Sequence, residues 1–244
     1  MAYAGTDFHG WARQPHDRTV QGEVEAALST IYRRPIEVVG CGRTDAGVHA
    51  SCFYFHVDLE EIIHRFIFRM NSLLPGSVTF YSIHEVADDA HARFDATQRS
   101  YRFMAHGDKS PFMHQFSSRI IELKRIKLEQ LNEVAALLTQ YDEFAPYCKT
   151  HADSNTMFCA LTKCEWSMNE ETGQFVLDVT SDRFLRGMIR LVVGSCVLVA
   201  IDSMPLDAVK KALDTQTRLP KNLSAPPEGL FLNEVIYPYI NTTK

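Results

Sequence analysis

The chain has 244 residues, 45% of them hydrophobic, enough to bury a real core as one large domain or two smaller ones. A net charge of -5 excludes a protein coated in positive charge, so any nucleic-acid partner has to meet a local basic patch. The longest apolar region, 191–201, is broken by Gly194 and Ser195 and falls short of the roughly eighteen residues of a membrane helix.

In chain order, Tyr3-Ala4-Gly5-Thr6 and Phe8-His9-Gly10-Trp11 read as a strand end turning into a loop. Thr19 is placed to cap a helix whose apolar stripe is Val20, Val24, Leu28 and Ile31, ended by Arg33, Arg34 and Pro35. The β-branched run from Ile36 to Gly40 and the aromatic run from Cys52 to Val57 predict two strands. Between them lies Gly42-Arg43-Thr44-Asp45-Ala46-Gly47-Val48-His49-Ala50, a tight connection carrying one carboxylate. Asp and Gly dominate turns, so on these residues alone Asp45 reads sooner as a turn residue than as a catalyst.

Helical spacing returns at Ile62, Phe66, Met70 and Leu73, a predicted core-facing helix stopped by Pro75-Gly76. Val78 to Val86 and Arg99 to Met104 predict further strands, the second holding Tyr101, whose plain reading is a core aromatic. The polar segment 107–116 separates two expected subdomains, 1–106 and 107–244. In the second, Leu128, Leu131, Ala135 and Leu138 predict a helix that follows the basic run Lys124-Arg125-Ile126-Lys127. Phe158 to Met168 and Phe175 to Thr180 predict an antiparallel hairpin. Met188 to Ala200 predicts an apolar helix, Pro205 starts a short one, and Gly229 to Tyr237 predicts the last strand. Arg190 sits in that apolar helix, and a guanidinium in such surroundings needs a carboxylate or a phosphate.

Interleaved hairpins and helices define an expected α+β fold: two α/β subdomains with largely antiparallel sheets, helices packed on one face, and an active-site cleft between them. Six scattered cysteines without CxxC spacing, in a chain that opens without a basic and hydrophobic leader, predict a cytoplasmic protein with free thiols. Cys148-x-x-His151 with Cys159 and Cys164 is a weak zinc pattern, because the last two are expected on opposite faces of one strand.

Taken together, Gly5-Thr6, His9-Gly10-Trp11, Gln14-Pro15, Gly42 to Ala50, Arg69-x-Asn71-x-Leu73-Leu74-Pro75, Ala92-Arg93-Phe94-Asp95-Ala96 with Tyr101 and Phe103, Phe184-Leu185-x-x-Met188-Ile189-Arg190 and Ala225-Pro226-Pro227-x-Gly229-Leu230 resemble the tRNA pseudouridine synthase A family, in its order and over nearly the whole chain. The chain departs from the family pattern in carrying Tyr3-Ala4-Gly5 where Tyr-Asp-Gly is usual. The resemblance implies an isomerase acting on uridines 38, 39 and 40 in the anticodon stem-loop of tRNA, a homodimer with no cofactor and no essential metal; the cytoplasmic location and the absence of membrane association are expected from the cysteines and the apolar run lengths above. It implies Asp45 as the catalytic aspartate, Tyr101 as the active-site aromatic and Arg190 as the partner of the carboxylate. Arg43 would fill the space left by an everted base or bind phosphate, and Leu230 would floor the base pocket. Arg13, Arg33, Arg34, Arg43, Arg93 and Arg102 are the candidate RNA-facing cations. The alternatives are a pseudouridine synthase on another RNA and a catalytically silent RNA-binding homologue. A glycosidic hydrolase would call for a second carboxylate, and Asp95 reads better as structural.

Overall fold

The computed structural model describes residues 1–149 and 156–240. The architecture is α+β, with five α-helices among the described residues and a mixed, mostly antiparallel sheet. The chain forms two compact units, Met1–Arg99 with Phe231–Lys244, and Ser100–Leu230.

In the first unit β1 (Ala2–Tyr3) pairs antiparallel with both β3 (His49–Ala50) and β5 (Val78–Thr79). β3 also pairs in parallel with β10 (Leu230–Ile236), which sets Phe231 opposite His49 and Leu232 opposite Ala50. β2 (Val39–Gly40) and β4 (Phe55–His56) form a separate ribbon. Helix α1 (Val20–Tyr32) starts where expected: the Thr19 hydroxyl accepts from Gly22 N at 3.2 Å, and Val20, Val24 and Leu28 are buried. An aromatic cluster of Tyr3, Trp11 and Phe53 fills the centre, with Trp11 and Phe53 centroids 4.0 Å apart.

The strand expected from Ile36 shrinks to its last two residues, and the reason lies in helix α1. Ser29 accepts from Ile36 N, Glu25 accepts from Val38 N, and Gln21 donates to Val38 O, so helix side chains satisfy the main chain that a ladder would otherwise pair. The strand expected over Val78 to Val86 stops at Thr79 in the same way. Helix α2 (Phe66–Leu73) puts Asn71 against Phe80, donating to its carbonyl at 3.0 Å and accepting from its amide at 2.8 Å. Of the apolar stripe expected there, Phe66 and Met70 are buried, while Ile62 precedes the helix and stays 53% exposed and Leu73 is 47% exposed. That helix shows half of its apolar stripe to the core.

In the second unit β6 (Gln98–His106) pairs with β7 (Ser118–Arg119) and β9 (Gln174–Ser181), and β9 pairs antiparallel with β8 (Leu161–Asn169). The hairpin is the one expected: Asn169 accepts from Glu171 N and Thr172 N, and Gly173 turns the chain at φ 66. Helices α3 (Leu128–Leu138) and α4 (Met188–Ala200) pack on each other, with α3 also on β8. Asn132 grips the edge strand through Trp166 N and O at 2.8 and 2.9 Å, the same device that Asn71 supplies in the first unit. Helix α4 is buried nearly all round, as its composition requires, and α5 (Leu206–Asp214) follows Pro205. Cys159 precedes β8, the strand carries a register shift between Leu161 and Lys163, and Cys159 and Cys164 are both buried, so the opposite-faces argument does not hold. His151 of the zinc pattern lies outside the described residues. No helix among the described residues is long and apolar enough to cross a membrane.

Candidate active site

Asp45 and Arg43 belong to the first unit; Tyr101, Arg190 and Leu230 belong to the second. Each set is positioned by its own unit.

Asp45 is half-buried in a turn in which its carbonyl accepts from Val48 N at 3.1 Å and Gly47 takes φ 77. The turn is pinned from the N-terminal segment. Gly47 N donates to Phe8 O (3.1 Å), Trp11 N donates to Thr44 O (3.3 Å), and the Tyr3 and Thr44 hydroxyls bond at 2.9 Å. Gly10, at φ 87, brings its main chain so close that a Cβ would sit 2.3 Å from Thr44 O, and a Cβ on Gly5 would sit 2.0 Å from Val48 O. These approaches show why Gly5 and Gly10 leave no room for a side chain against the Gly42 to Ala50 segment. His49, fully buried and stacked on Phe231 at 4.6 Å, accepts from Gly5 N through Nδ1, which fixes its other ring nitrogen as the protonated one in the neutral imidazole. Arg43 is exposed at the rim of this loop.

Arg99 was not among the residues singled out from the sequence, yet it braces the loop. Its guanidinium donates to Cys41 O at 3.0 Å, Arg93 O at 2.6 Å and Ala96 O at 3.3 Å, tying the entrance of the aspartate loop to the Ala92–Ala96 segment. An arginine followed by a short polar step to an aromatic carries no signal that distinguishes a brace from a surface cation. Asp95 accepts from His91 N and from the Tyr239 hydroxyl, which hold its carboxyl below the usual range. Its structural reading stands. A hollow in this unit lined by Glu85, Asp89, Asp95 and Tyr239 contains none of the loop residues, and its carboxylates suit it poorly to an anion.

In the second unit, Tyr101 is half-buried on β6, its ring edge-on to Phe184 at 5.2 Å and 86°. Arg190 lies in the first turn of α4 and is locked to the Ala225–Leu230 segment from both sides: Nε donates to Ala225 O, and Ala225 N donates to Arg190 O at 3.0 Å. The same segment is held at its far end by Ser118, whose hydroxyl donates to Pro226 O (3.2 Å) and accepts from Gly229 N (3.1 Å). A Cβ on Gly229 would meet Met104 O at 2.3 Å, so glycine is required for the approach that delivers buried Leu230. Arg190 and Leu230 therefore ride on one framework.

Among the candidate RNA-facing cations, Arg102 is spent within the sheet. It makes a two-pronged pair with Asp178 at 2.8 and 3.2 Å, and Lys163 joins at 3.6 Å. Burial pushes the Asp178 carboxyl up, and the two cations more than offset it. Arg13 pairs with Glu25 and Arg34 with Glu60, while the Arg93 guanidinium lies 5.7 Å from the exposed Phe94 ring. Among the described residues no three His, Cys, Asp or Glu side chains are grouped to hold a metal ion.

These motif segments, fastened to one another within each unit of an α+β fold, define a pseudouridine synthase, an isomerase: a family model described as tRNA pseudouridine synthase matches residues 139–238. The chain is 39% identical to tRNA pseudouridine synthase A of Bacteroides thetaiotaomicron over 241 residues, 98% of this chain and 89% of the relative. It is 39% identical to the enzyme so named from Porphyromonas gingivalis (98% and 95% covered) and 34% identical to that of Chlorobium limicola (97% of both chains). The chain belongs to the tRNA pseudouridine synthase A family.

Proposed function

We propose that this protein isomerises uridines 38, 39 and 40 of the tRNA anticodon stem-loop to pseudouridine, using Asp45 and no cofactor, as a cytoplasmic homodimer. The observation that carries the reading is Asp45 on a turn fixed by its own backbone and by Phe8, Trp11 and Tyr3, within a chain whose relatives bear that family name. The reaction breaks the N1–C1′ bond, turns the uracil and joins C5 to C1′; the proton leaving C5 is balanced by one gained at N1. An ionised carboxylate serves each route open to it, as nucleophile toward sugar or base or as the acceptor of the 2′ proton. A rigid loop keeps that group in attacking geometry without paying for its ordering in every turnover.

Tyr101 supplies a face for the uracil and a phenol for proton relay at C5. Arg190 is the cation assigned to the carboxylate, with Nε already engaged by Ala225 O so that its terminal nitrogens have a fixed direction. Since the reacting atoms are inaccessible in a stacked helix, the nucleotide is everted, with Arg43 at the vacated place and Leu230 under the base.

The test is incubation with unmodified tRNA transcripts and mapping of new pseudouridines by carbodiimide-dependent reverse-transcriptase stops. Wild type should mark positions 38–40, and Asp45→Asn and Asp45→Ala should bind the tRNA and mark none. Turnover at the wild-type rate in either variant refutes the assignment of Asp45.

A further inference from the structure

The loop 182–187 that leads into α4 meets one more cation, Lys149, which none of the family motifs contains. Lys149 N donates to Arg186 O at 3.0 Å. Gly187 takes φ 70, and a Cβ built on it would fall 2.6–2.8 Å from Cγ, Cδ and Cε of Lys149. The lysine stem thus lies in the space that the missing side chain leaves, and the ammonium, one bond beyond Cε, is kept at this loop.

Arg183 and Arg186 stand beside it. Burial raises the thiol pKa of the neighbouring Cys148, and both guanidinium charges act on that thiol in the opposite direction. Between the two arginines in sequence is Phe184, the ring that contacts Tyr101. Three cations are therefore gathered around the support of Tyr101 in a chain of net charge -5, where a polyanion can be met only by such a local cluster.

We infer that Lys149, Arg183 and Arg186 form a phosphodiester-binding cluster that grips the RNA backbone next to the nucleotide presented to Tyr101, with Lys149 seated against Gly187 as a direct phosphate contact. The inference rests on the proposed reading that RNA is the substrate.

Lys149→Met keeps the stem over Gly187 and removes only the charge; Lys149→Arg keeps the charge. With the full chain and an unmodified tRNA transcript, Kd is measured from low to moderate salt, alongside kcat and KM. Lys149→Met should raise Kd and KM about three- to tenfold with kcat within about twofold, and should flatten the slope of log Kd against log salt by roughly 0.7 to 0.9, the loss of one phosphate contact. Lys149→Arg should keep the wild-type slope. If wild type turns over tRNA and Lys149→Met matches it in slope and KM, the cluster is wrong and the functional reading survives. A Lys149→Met protein that loses kcat while holding the wild-type slope also overturns it. Wild type that makes no pseudouridine in tRNA sinks the functional reading itself.

Discussion

Gly194 sits in the middle of α4, where alanine is ordinarily worth about 1 kcal/mol more than glycine. Its surroundings reverse that expectation. A Cβ there would lie 1.7 Å from Leu223 O and 2.6 Å from Leu223 C, backbone atoms that no rotamer change can remove. Ordinary contact requires the 223–225 segment to retreat by well over 1 Å. That movement strains both links between Ala225 and Arg190. Overpacking of this kind costs about 1–3 kcal/mol, and a hydrogen bond to a charged donor contributes about 1.5–3 kcal/mol more. Offset by the gain in propensity, Gly194→Ala should destabilise the protein by about 1.5–5 kcal/mol, lowering Tm by roughly 3–20 °C for a chain of this size. Gly22, in the first turn of α1, is the control: a Cβ there meets only the Thr19 hydroxyl oxygen at 3.2 Å. Gly22→Ala should be neutral or stabilising by up to about 1 kcal/mol. Urea unfolding followed by far-UV circular dichroism reads both. A Gly194→Ala protein as stable as wild type would show that α4 does not bear on the Leu223 main chain and would remove the proposed support of Arg190.

Gly5→Ala should act through the aspartate turn, because its Cβ would displace Val48 O from 2.0 Å away and break the bond from Gly5 N to His49. Turnover on tRNA should fall by about tenfold or more, as small misplacements of a reacting group do, and undiminished turnover would detach the N-terminal segment from the site. His106, bonded through Nδ1 to Ser117 at 2.9 Å, has its pKa lowered by burial and by Arg119. A histidine held neutral in the folded state contributes stability that is full above its unfolded value near 6.5 and is lost as pH falls through the lowered folded value. The urea midpoint should therefore drop between pH 7.5 and 5, by less in His106→Asn than in wild type; equal drops would exclude His106 as a contributor.

Where the chain's own periodicity decides an element, the fold was legible. Helix α1 with its Thr19 cap, α4 over its full length and the hairpin turning at Asn169 need only local signals: a capping hydroxyl, an unbroken apolar run and an Asx turn closed by glycine. Strand length was not legible, because it depends on which partner satisfies the main chain. Glu25, Ser29 and Asn71 are helical residues that bond the backbone of distant segments, and nothing in those segments announces it. The return of the last strand to pair with His49–Ala50 is likewise a tertiary choice, since a run of alternating residues does not name its neighbour.

Legibility of the candidate site follows the same division between chemistry and support. Of the three residues named for the chemistry, Arg190 stands out by its setting, a guanidinium in an apolar helix, whereas Asp45 and Tyr101 read by themselves as a turn residue and a core aromatic and receive their roles from the family resemblance. Their supports do not stand out, because what they contribute is main-chain geometry. Ser118 looks like any serine until its hydroxyl is seen between Pro226 O and Gly229 N, and Arg99 looks like any arginine until its three donors are seen on carbonyl oxygens. The glycines are intermediate: Gly5, Gly10, Gly194 and Gly229 can be read as punctuation, but what each admits is the backbone of another segment at a distance that excludes any side chain. A catalytic carboxylate placed on a turn gains rigidity only if the turn is held by groups that cannot rotate. In this unit those groups are backbone amides and carbonyls of residues 5–11, which makes these residues part of the framework that holds the Asp45 turn rather than a dispensable edge.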